Sequence, residues 1–292
     1  MPQSMPVGVI GLGLMGEVLA RRLMAAKFSV GGFDVDATKN AKLTELGGRA
    51  ASIADIARNC DPIVLAVFNT EQVEQVVEHE LLPVLGQGSG RVVLCTSTCD
   101  PDRIAALAER VIPQGIRFLE TPVSGTSEQV RQGDGVGLIG GDPNTAKAVA
   151  PVLDAMFPKS FHIGQAGDGG RAKLAVNLIL GLNRLALAEG LVFASRLGLD
   201  PAAFLNVARG AASYSQVMDT KGPKMVAGDF SPEGRVKQTL KDAQLMLEQA
   251  RRKGQRLPTL EIHADVLEAC VRAGDQDKDN SFIIEEIRRR RQ

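Results

Sequence analysis

The chain has 292 residues, a length typical of two domains. Its 34 Lys and Arg residues balance 34 Asp and Glu residues, so the charge gives no reason to expect nucleic acid or an anionic membrane as a partner. The 44% hydrophobic fraction supplies side chains for a substantial core. The 4 Cys residues form no CxxC pair, which predicts no metal site and indicates a reducing, cytoplasmic compartment.

In the first half of the chain, short β-branched runs alternate with amphipathic stretches. The predicted strands are 7–10, 28–33, 63–67, 91–96, 117–120 and 137–139. The predicted helices between them are 17–26, 39–46, 71–77 and 101–111. Strand alternating with helix predicts a parallel sheet with right-handed crossovers.

A glycine-rich turn follows the first predicted strand and opens a helix. Its sequence is Gly11-Leu12-Gly13-Leu14-Met15-Gly16. The first glycine permits the tight turn, the second lets a pyrophosphate approach the backbone, and the third allows close packing of helix on strand. The free N–H groups and the positive dipole end of the helix then favour phosphate. This pattern predicts a dinucleotide site, whereas a plain tight turn is the alternative.

Asp34 ends the second predicted strand, 21 residues after Gly13. A carboxylate at this distance accepts hydrogen bonds from the adenosine ribose and repels a 2′-phosphate. No arginine occurs in the next four residues to attract that phosphate. The sequence therefore predicts NAD rather than NADP as the cofactor.

The second half of the chain has a helical pattern only. The predicted helices are 172–197, 201–209, 223–225, 236–253, 257–273 and 282–289, with Gly198 as a C-cap glycine after the first. The long first helix is apolar nearly all round, which predicts burial that subunits share in a homodimer or homotetramer. Its most apolar part, 174–187, is interrupted by Asn177, Asn183 and Arg184, so no membrane-spanning segment is expected.

Five motifs in this order resemble the β-hydroxyacid dehydrogenase family, which includes 3-hydroxyisobutyrate, tartronate semialdehyde and threonate dehydrogenases. They are the glycine turn at 11–16, Ser97-Thr98-Cys99-Asp100-Pro101, Thr121-Pro122-Val123-Ser124-Gly125, residues 167–177 and Lys241-Asp242. The resemblance implies an α/β fold: an N-terminal Rossmann domain with a doubly wound parallel sheet, residues 1–165, followed by an all-helical domain, residues 166–292. It also implies oxidation of a small 3-hydroxy carboxylic acid bound between the two domains.

The resemblance assigns the substrate carboxylate to Ser124, Gly125 and Thr126, through backbone N–H groups and the serine hydroxyl. A Ser-Gly turn can form such a concavity for an anion. The family has a second glycine where this chain has Thr126. A side chain there predicts a changed pocket shape and a preference for small substrates.

The resemblance assigns catalysis to Lys173 as general acid and base, and to Asn177 as the residue that holds the substrate. Residues four apart share one face of a helix. A lysine can act as a base only if its pKa is depressed, and the start of an apolar helix favours that. Many relatives carry a second asparagine where this chain has Val176.

Further positions are implied to contact the cofactor. Val67, Phe68, Asn69 and Thr98 end predicted strands on the side of the sheet where dinucleotides bind. Lys241 matches a family lysine that reaches toward the nicotinamide. Many relatives have proline where this chain has Phe68.

Several functions remain open at this stage. The same residues would reduce a semialdehyde or a ketoacid in the reverse direction. A non-catalytic, dinucleotide-sensing protein would be expected to lack Lys173, and imine reductases of this fold usually have another residue there. The segments around Tyr214 and at 228–232 resemble the threonate-type branch of the family more than the hydroxyisobutyrate branch, which implies a polyhydroxylated acid as substrate. The three histidines, His79, His162 and His263, are expected to be exposed or hydrogen-bonded.

Overall fold

A computed structural model describes residues 6–290 of the chain. The chain divides into two compact units, Met1–Lys173 and Leu174–Gln292. The first unit is a sheet with helices on both faces, and the second is all-helical. This confirms the predicted fold class.

Among the described residues, the sheet of the first unit has nine strands. They are β1 (Val7–Ile10), β2 (Val30–Phe33), β3 (Arg49–Ala50), β4 (Ile63–Leu65), β5 (Val92–Cys95), β6 (Arg117–Glu120), β7 (Val123–Ser124), β8 (Val136–Gly141) and β9 (Lys159–Gly164). Their order is β3-β2-β1-β4-β5-β6-β8-β7, and β9 pairs with β8. The chain order reverses between β1 and β4, and dinucleotides bind at such a switch point.

The sheet is parallel from β3 to β6, but β8 runs antiparallel to both β6 and β7. The expectation of a parallel sheet is therefore wrong at this edge. After β6 the chain turns at Pro122 into the short strand β7 and a short helix, and then returns to the sheet. A parallel strand next to β6 would need a long crossover connection. The short connection through β7 instead lets β8 run antiparallel to β6.

The helices of the first unit surround this sheet. They are α1 (Leu14–Ala25), α2 (Ala37–Glu45), α3 (Ile53–Asn59), α4 (Thr70–Glu74), α5 (Leu82–Leu85), α6 (Pro101–Val111), α7 (Ser127–Gln132), α8 (Pro143–Ala148) and α9 (Ala150–Met156). A π-helical segment, Gln75–Leu81, joins α4 to α5. The sequence did not predict α3, α5 or α7 to α9, because helices of two turns or fewer show little periodicity.

Alternating residues of the central strands point to opposite faces of the sheet. Val9 and Val64 lie in the hydrophobic cluster on one face, and Ile10 and Leu65 lie in the cluster on the other. Both faces are thus buried, as a parallel sheet requires. Burial of both faces fixes the strand ends that carry the predicted site.

The remaining helices are α10 (Asp168–Arg196), α11 (Pro201–Gly210), α12 (Val217–Thr220), α13 (Gly222–Ala227), α14 (Val236–Arg252), α15 (Pro258–Arg272) and α16 (Ile283–Arg289). Gly198 follows α10 with φ 86, the left-handed conformation expected of a C-cap glycine. Leu191, Met225, Leu267 and Ile283 lie in the hydrophobic core of the helical unit.

The long helix α10 contradicts one expectation. By length and composition it could cross a membrane, although the sequence predicted no such segment. The polar residues at 177, 183 and 184 are too few to lower its apolar character. Core helices of soluble proteins meet the same criterion, so the finding carries no conclusion about a membrane.

Candidate active site

The glycine turn after β1 contains two glycines that the chain itself requires. Gly11 has φ 92, and a side chain on it would lie 2.5 Å from the carbonyl oxygen of Ala66. A side chain on Gly16 would lie 1.8 Å from the carbonyl oxygen of Gly11. Only glycine fits at either position, because each backbone is in direct contact with another.

Gly13 is different, because a side chain there would contact no atom of the described chain within 4 Å. Its φ of -68 is also open to any residue. Internal packing therefore gives no reason for a glycine at this position. The open space lies at the N-terminus of α1, where a phosphate would approach the backbone.

Asp34 is 8% exposed and immobilised at the end of β2. Its Oδ2 accepts a hydrogen bond from the backbone N–H of Leu12 at 2.8 Å. Its Oδ1 accepts from the backbone N–H of Asp36 at 2.9 Å and pairs with Lys39 Nζ at 3.1 Å. The carboxylate thus stabilises the glycine turn itself, a role that the sequence did not indicate. Lys39, five residues after Asp34, thus brings a positive charge to this carboxylate.

The other residues of the turn lie where helix packing puts them. Leu14 begins α1, and Met15 is half-buried against the core on one face of the sheet. Met15 therefore contributes to the core of the first unit.

Hydrogen bonds join the carboxyl ends of β4 and β5. The hydroxyl of Ser97 donates to the carbonyl oxygen of Val67 at 2.8 Å. Ser97 directly precedes Thr98, which is half-buried. Phe68 is 39% exposed, and the Asn69 side chain caps α4. Ser97 was not singled out in the sequence, although it stands in the motif that contains Thr98.

The segment 124–126 joins β7 to α7. Gly125 has φ 134, a backbone conformation that favours glycine. The Thr126 side chain accepts from the N–H of Gln129 at 3.1 Å, and the Gln129 side chain accepts from the N–H of Thr126 at 2.9 Å. Together they form a capping box at the start of α7. Of the donors predicted for a carboxylate, the Thr126 N–H is thus engaged with Gln129, and Thr126 has a structural use.

Lys173 is 5% exposed and lies in the second turn of α10. Four residues later, Asn177 belongs to the helical unit. The amide nitrogen of Asn177 donates to Asp242 Oδ2 at 3.0 Å, and Lys241 Nζ lies 3.0 Å from Asp242 Oδ1. The structure therefore brings Asn177 and Lys241 to one carboxylate, and Asp242 is a candidate that the sequence analysis missed. Its position beside Lys241 in the motif was the available signal.

His263 does not fit the expectation of an exposed or hydrogen-bonded histidine. It is 1% exposed, and neither ring nitrogen has a hydrogen-bond partner among the described residues. Burial lowers its pKa to about 4, and the nearby Arg184 contributes to the lowering. The ring lies against Gly181 of α10, where a side chain would be 2.8 Å from Cε1. The imidazole is therefore neutral at physiological pH.

Two family models match the chain. Residues 6–164 match the NAD binding domain of 6-phosphogluconate dehydrogenase, and residues 167–287 match a domain described as NAD-binding of NADP-dependent 3-hydroxyisobutyrate dehydrogenase. Dinucleotide binding of the NAD(P) type follows from these matches, while the choice between NAD and NADP does not.

Known proteins resemble the chain over almost its whole length. An L-threonate dehydrogenase of Cupriavidus necator is 29% identical, over 96% of this chain and 95% of the relative. A 2-hydroxy-3-oxopropionate reductase of Escherichia coli is 27% identical, over 97% of both. A crystal structure of 3-hydroxyisobutyrate dehydrogenase from Salmonella typhimurium has a TM-score of 0.88 at 28% identity, over 97% of this chain and 99% of that one. With its dinucleotide turn and its two matched domains, the chain belongs to the β-hydroxyacid dehydrogenase family.

Proposed function

We propose that the protein is an oxidoreductase that transfers a hydride between the hydroxyl-bearing carbon of a small 3-hydroxy carboxylic acid and NAD. The burial of Lys173 carries this proposal. Lys173 is 5% exposed at the position where the family has its acid and base, so it is shielded from bulk water, and such desolvation favours the uncharged amine that a base requires. The part-buried polar cluster of Asn177 and Asp242 supports the same assignment.

The residues of the first unit fit a dinucleotide. The open space at Gly13 would accommodate the pyrophosphate, and the free N–H groups of α1 would bind it. The Asp34 carboxylate would accept hydrogen bonds from the adenosine ribose. Val67, Phe68, Asn69 and Thr98 would line the nicotinamide end, as would Lys241. When bound, NAD⁺ supplies the hydride acceptor.

The reaction removes a hydride from carbon and a proton from the hydroxyl group, and leaves a carbonyl group. In this proposal the unprotonated amine of Lys173 accepts the hydroxyl proton, and the ammonium returns it in the reverse direction. Asn177 donates its amide N–H to Asp242, which leaves its carbonyl oxygen to accept a hydrogen bond from the substrate hydroxyl. Ser124 and Gly125 would hold the substrate carboxylate, with Thr126 joining only if its N–H is released from Gln129.

The same residues would reduce a semialdehyde or a ketoacid, because proton and hydride transfer are reversible. The Escherichia coli relative, named a reductase, supports retaining this direction as the alternative. A non-catalytic dinucleotide sensor is the remaining alternative. Any turnover that requires Lys173 would exclude it.

NAD rather than NADP is proposed because the Asp34 carboxylate repels a 2′-phosphate. Lys39 pairs with this carboxylate and partly offsets its charge, so charge alone does not reject NADP. We expect kcat/KM to favour NAD by about tenfold or more, a difference of about 1.4 kcal/mol. Lys39→Ala should raise that ratio further, whereas Lys147→Ala, at an exposed lysine of α8, should leave it unchanged.

The experiment that tests the function is a screen of small hydroxy acids, including polyhydroxylated acids of the threonate type, with NADH formation followed by absorbance. Each acid is paired with the alcohol that lacks its carboxylate. The acid should be turned over better by ~10² or more, since a closed site leaves the carboxylate donors unpaired when the alcohol binds. Equal rates on acid and alcohol would refute the assignment of residues 124–126. No turnover of any acid, together with no oxidation of NADH by the corresponding semialdehydes or ketoacids, would refute the proposed reaction.

A further inference from the structure

The carboxyl group of Glu120 lies buried at the end of β6, with the residue 1% exposed. Its Oε2 accepts a hydrogen bond from the backbone N–H of Gly167 at 2.9 Å, and the backbone N–H of Gly170 also donates to the carboxyl group. Both donors lie at the start of α10, where N–H groups have no partner within the helix. One side chain from the sheet therefore binds the first turn of the helix that carries Lys173.

Three glycines make the space that this carboxyl group fills. A side chain on Gly140 or Gly169 would lie 3.1 or 3.2 Å from Glu120 Oε2. A side chain on Gly170 would lie 2.4 Å from Oε1. Backbone from β8 and from α10 thus closes around the two oxygens. The space that these glycines leave therefore matches a side chain of this length at the end of β6.

The charged and titratable groups around Glu120 belong to α10 and β5. Burial raises the pKa of Glu120 to about 7 and outweighs the two backbone hydrogen bonds, which lower it. Arg171 also lowers this pKa and Asp168 raises it, and the two side chains pair with each other at 2.8 Å. The thiol of Cys95 faces the carboxyl group from β5. The carboxyl group therefore changes charge near neutral pH.

We propose that Glu120 is a positioning residue for Lys173: its carboxylate fixes the first turn of α10 and thereby the place of the lysine one turn later. This inference rests on the proposed function, in which Lys173 moves the proton. Ionised, the group accepts from both N–H groups and neutralises the positive end of the helix dipole. Protonated, it loses its charge and one oxygen becomes a donor, so one of the two N–H groups loses its acceptor and the first turn is no longer held in the same geometry. Activity should then decline on the acid side of neutrality because of Glu120, in addition to any titration of Lys173.

The experiment compares Glu120→Gln and Glu120→Asp with Glu45→Gln, a control at an exposed acid of α2. The pH dependence of kcat, the KM of the hydroxy acid and the Kd of NADH are measured for each. In Glu120→Gln, kcat should fall about 10- to 100-fold, the Kd of NADH should stay within about twofold, and the decline near pH 7 should disappear. Glu120→Asp should keep the decline with an intermediate kcat. Glu45→Gln should match the wild type.

Amide hydrogen exchange at residues 167–173 gives a second readout that needs no substrate. Because burial raises the pKa of Glu120 in the closed segment, the closed state binds a proton that the opened segment releases. Corrected for intrinsic rates, protection of this segment in the wild type should therefore rise as the pH is lowered through 7, and in Glu120→Gln it should not depend on pH. If the wild type shows this exchange pattern but no turnover, the proposed function is refuted, while the role of Glu120 in holding the start of α10 is supported. An unchanged decline of kcat in Glu120→Gln, or protection that does not depend on pH in the wild type, would overturn the inference. If Glu120→Gln does not fold, the pH dependence of protection in the wild type and the pH dependence of kcat in Glu120→Asp still test the inference.

Discussion

Lys173 is the single residue on which the proposed chemistry depends most. Lys173→Met keeps the length and the apolar stem but removes the group that moves the proton. We expect kcat to fall by roughly 10² to 10⁴ while the Kd of NADH changes little. Lys147→Met should have neither effect, because that lysine is exposed on α8. Near-wild-type turnover of Lys173→Met would remove the lysine from the mechanism.

His263 makes the stability of the protein depend on pH. Its pKa is about 4 in the folded protein, against 6.5 for a histidine in water, so the unfolded chain binds a proton that the folded protein cannot. The contribution of His263 to the free energy of unfolding should therefore fall as the pH is lowered from 6.5 to 4, by up to about 3 kcal/mol at 1.36 kcal/mol per pKa unit, while Glu120, whose pKa burial raises, contributes in the opposite direction. At pH above 6.5 this contribution is constant.

Relative to the wild type, His263→Leu should gain stability as the pH is lowered from 6.5 to 4, and His79→Leu, at an exposed histidine, should follow the wild type. Urea unfolding at a series of pH values measures both. A wild-type slope that persists in His263→Leu would show that other groups cause it.

Among the elements of the helical unit, a buried ion pair holds the segment around 233 to the turn before α16. Lys221, 2% exposed, pairs with the fully buried Asp279 at 2.9 Å. Asp279 also accepts from the backbone N–H groups of Glu233 and Ser281. Loss of one partner leaves an uncompensated buried charge, whereas an exposed pair contributes little.

Lys221→Met should therefore lower the free energy of unfolding by about 3 to 5 kcal/mol. Lys237→Met is the matched control, since it breaks the exposed pair with Asp277 at 2.8 Å and should change stability by about 0.5 kcal/mol or less. Denaturant titration of the two variants measures the difference. Equal effects would mean that Asp279 finds other compensation in the absence of Lys221.

The helices and strands differ in how accurately the sequence predicted them. Long, strongly patterned elements such as α6 and α10 were predicted within a few residues, because their hydrophobic period repeats several times. Short elements such as β7 and α7 were missed, since their pairing and capping depend on partners elsewhere in the chain. Val123 and Ser124, for example, form a strand only because β8 lies beside them.

At the scale of the whole molecule, α10 leaves an apolar stripe on its surface. Val176, Ile179 and Phe193 lie on one side of the helix and are 38%, 63% and 65% exposed. Exposed apolar stripes of this kind mark contact surfaces. We therefore retain the prediction of a homodimer or homotetramer formed through the helical domain.

Sedimentation at micromolar concentration tests this assembly. Phe193→Glu should shift the protein toward the monomer, because a charge in an apolar interface is unfavourable. Ile112→Glu, at a residue of the first unit that is 50% exposed, should leave the assembly intact. A wild-type monomer would refute the prediction.

The sequence by itself determined the glycine turn and the alternation of strand and helix, because each depends on local spacing. Lys173 and Asn177 were identified by the resemblance to the family, which matches motifs in their order along the chain. Their roles in catalysis stay predictions. Only the tertiary structure decided which groups meet across long stretches of chain. Asp34 bonds to the glycine turn, Asp242 joins Asn177 to Lys241, and Glu120 reaches the start of α10. Such contacts join residues 22 to 65 positions apart, and no local pattern encodes them, since burial and hydrogen bonding are satisfied only by the packed chain.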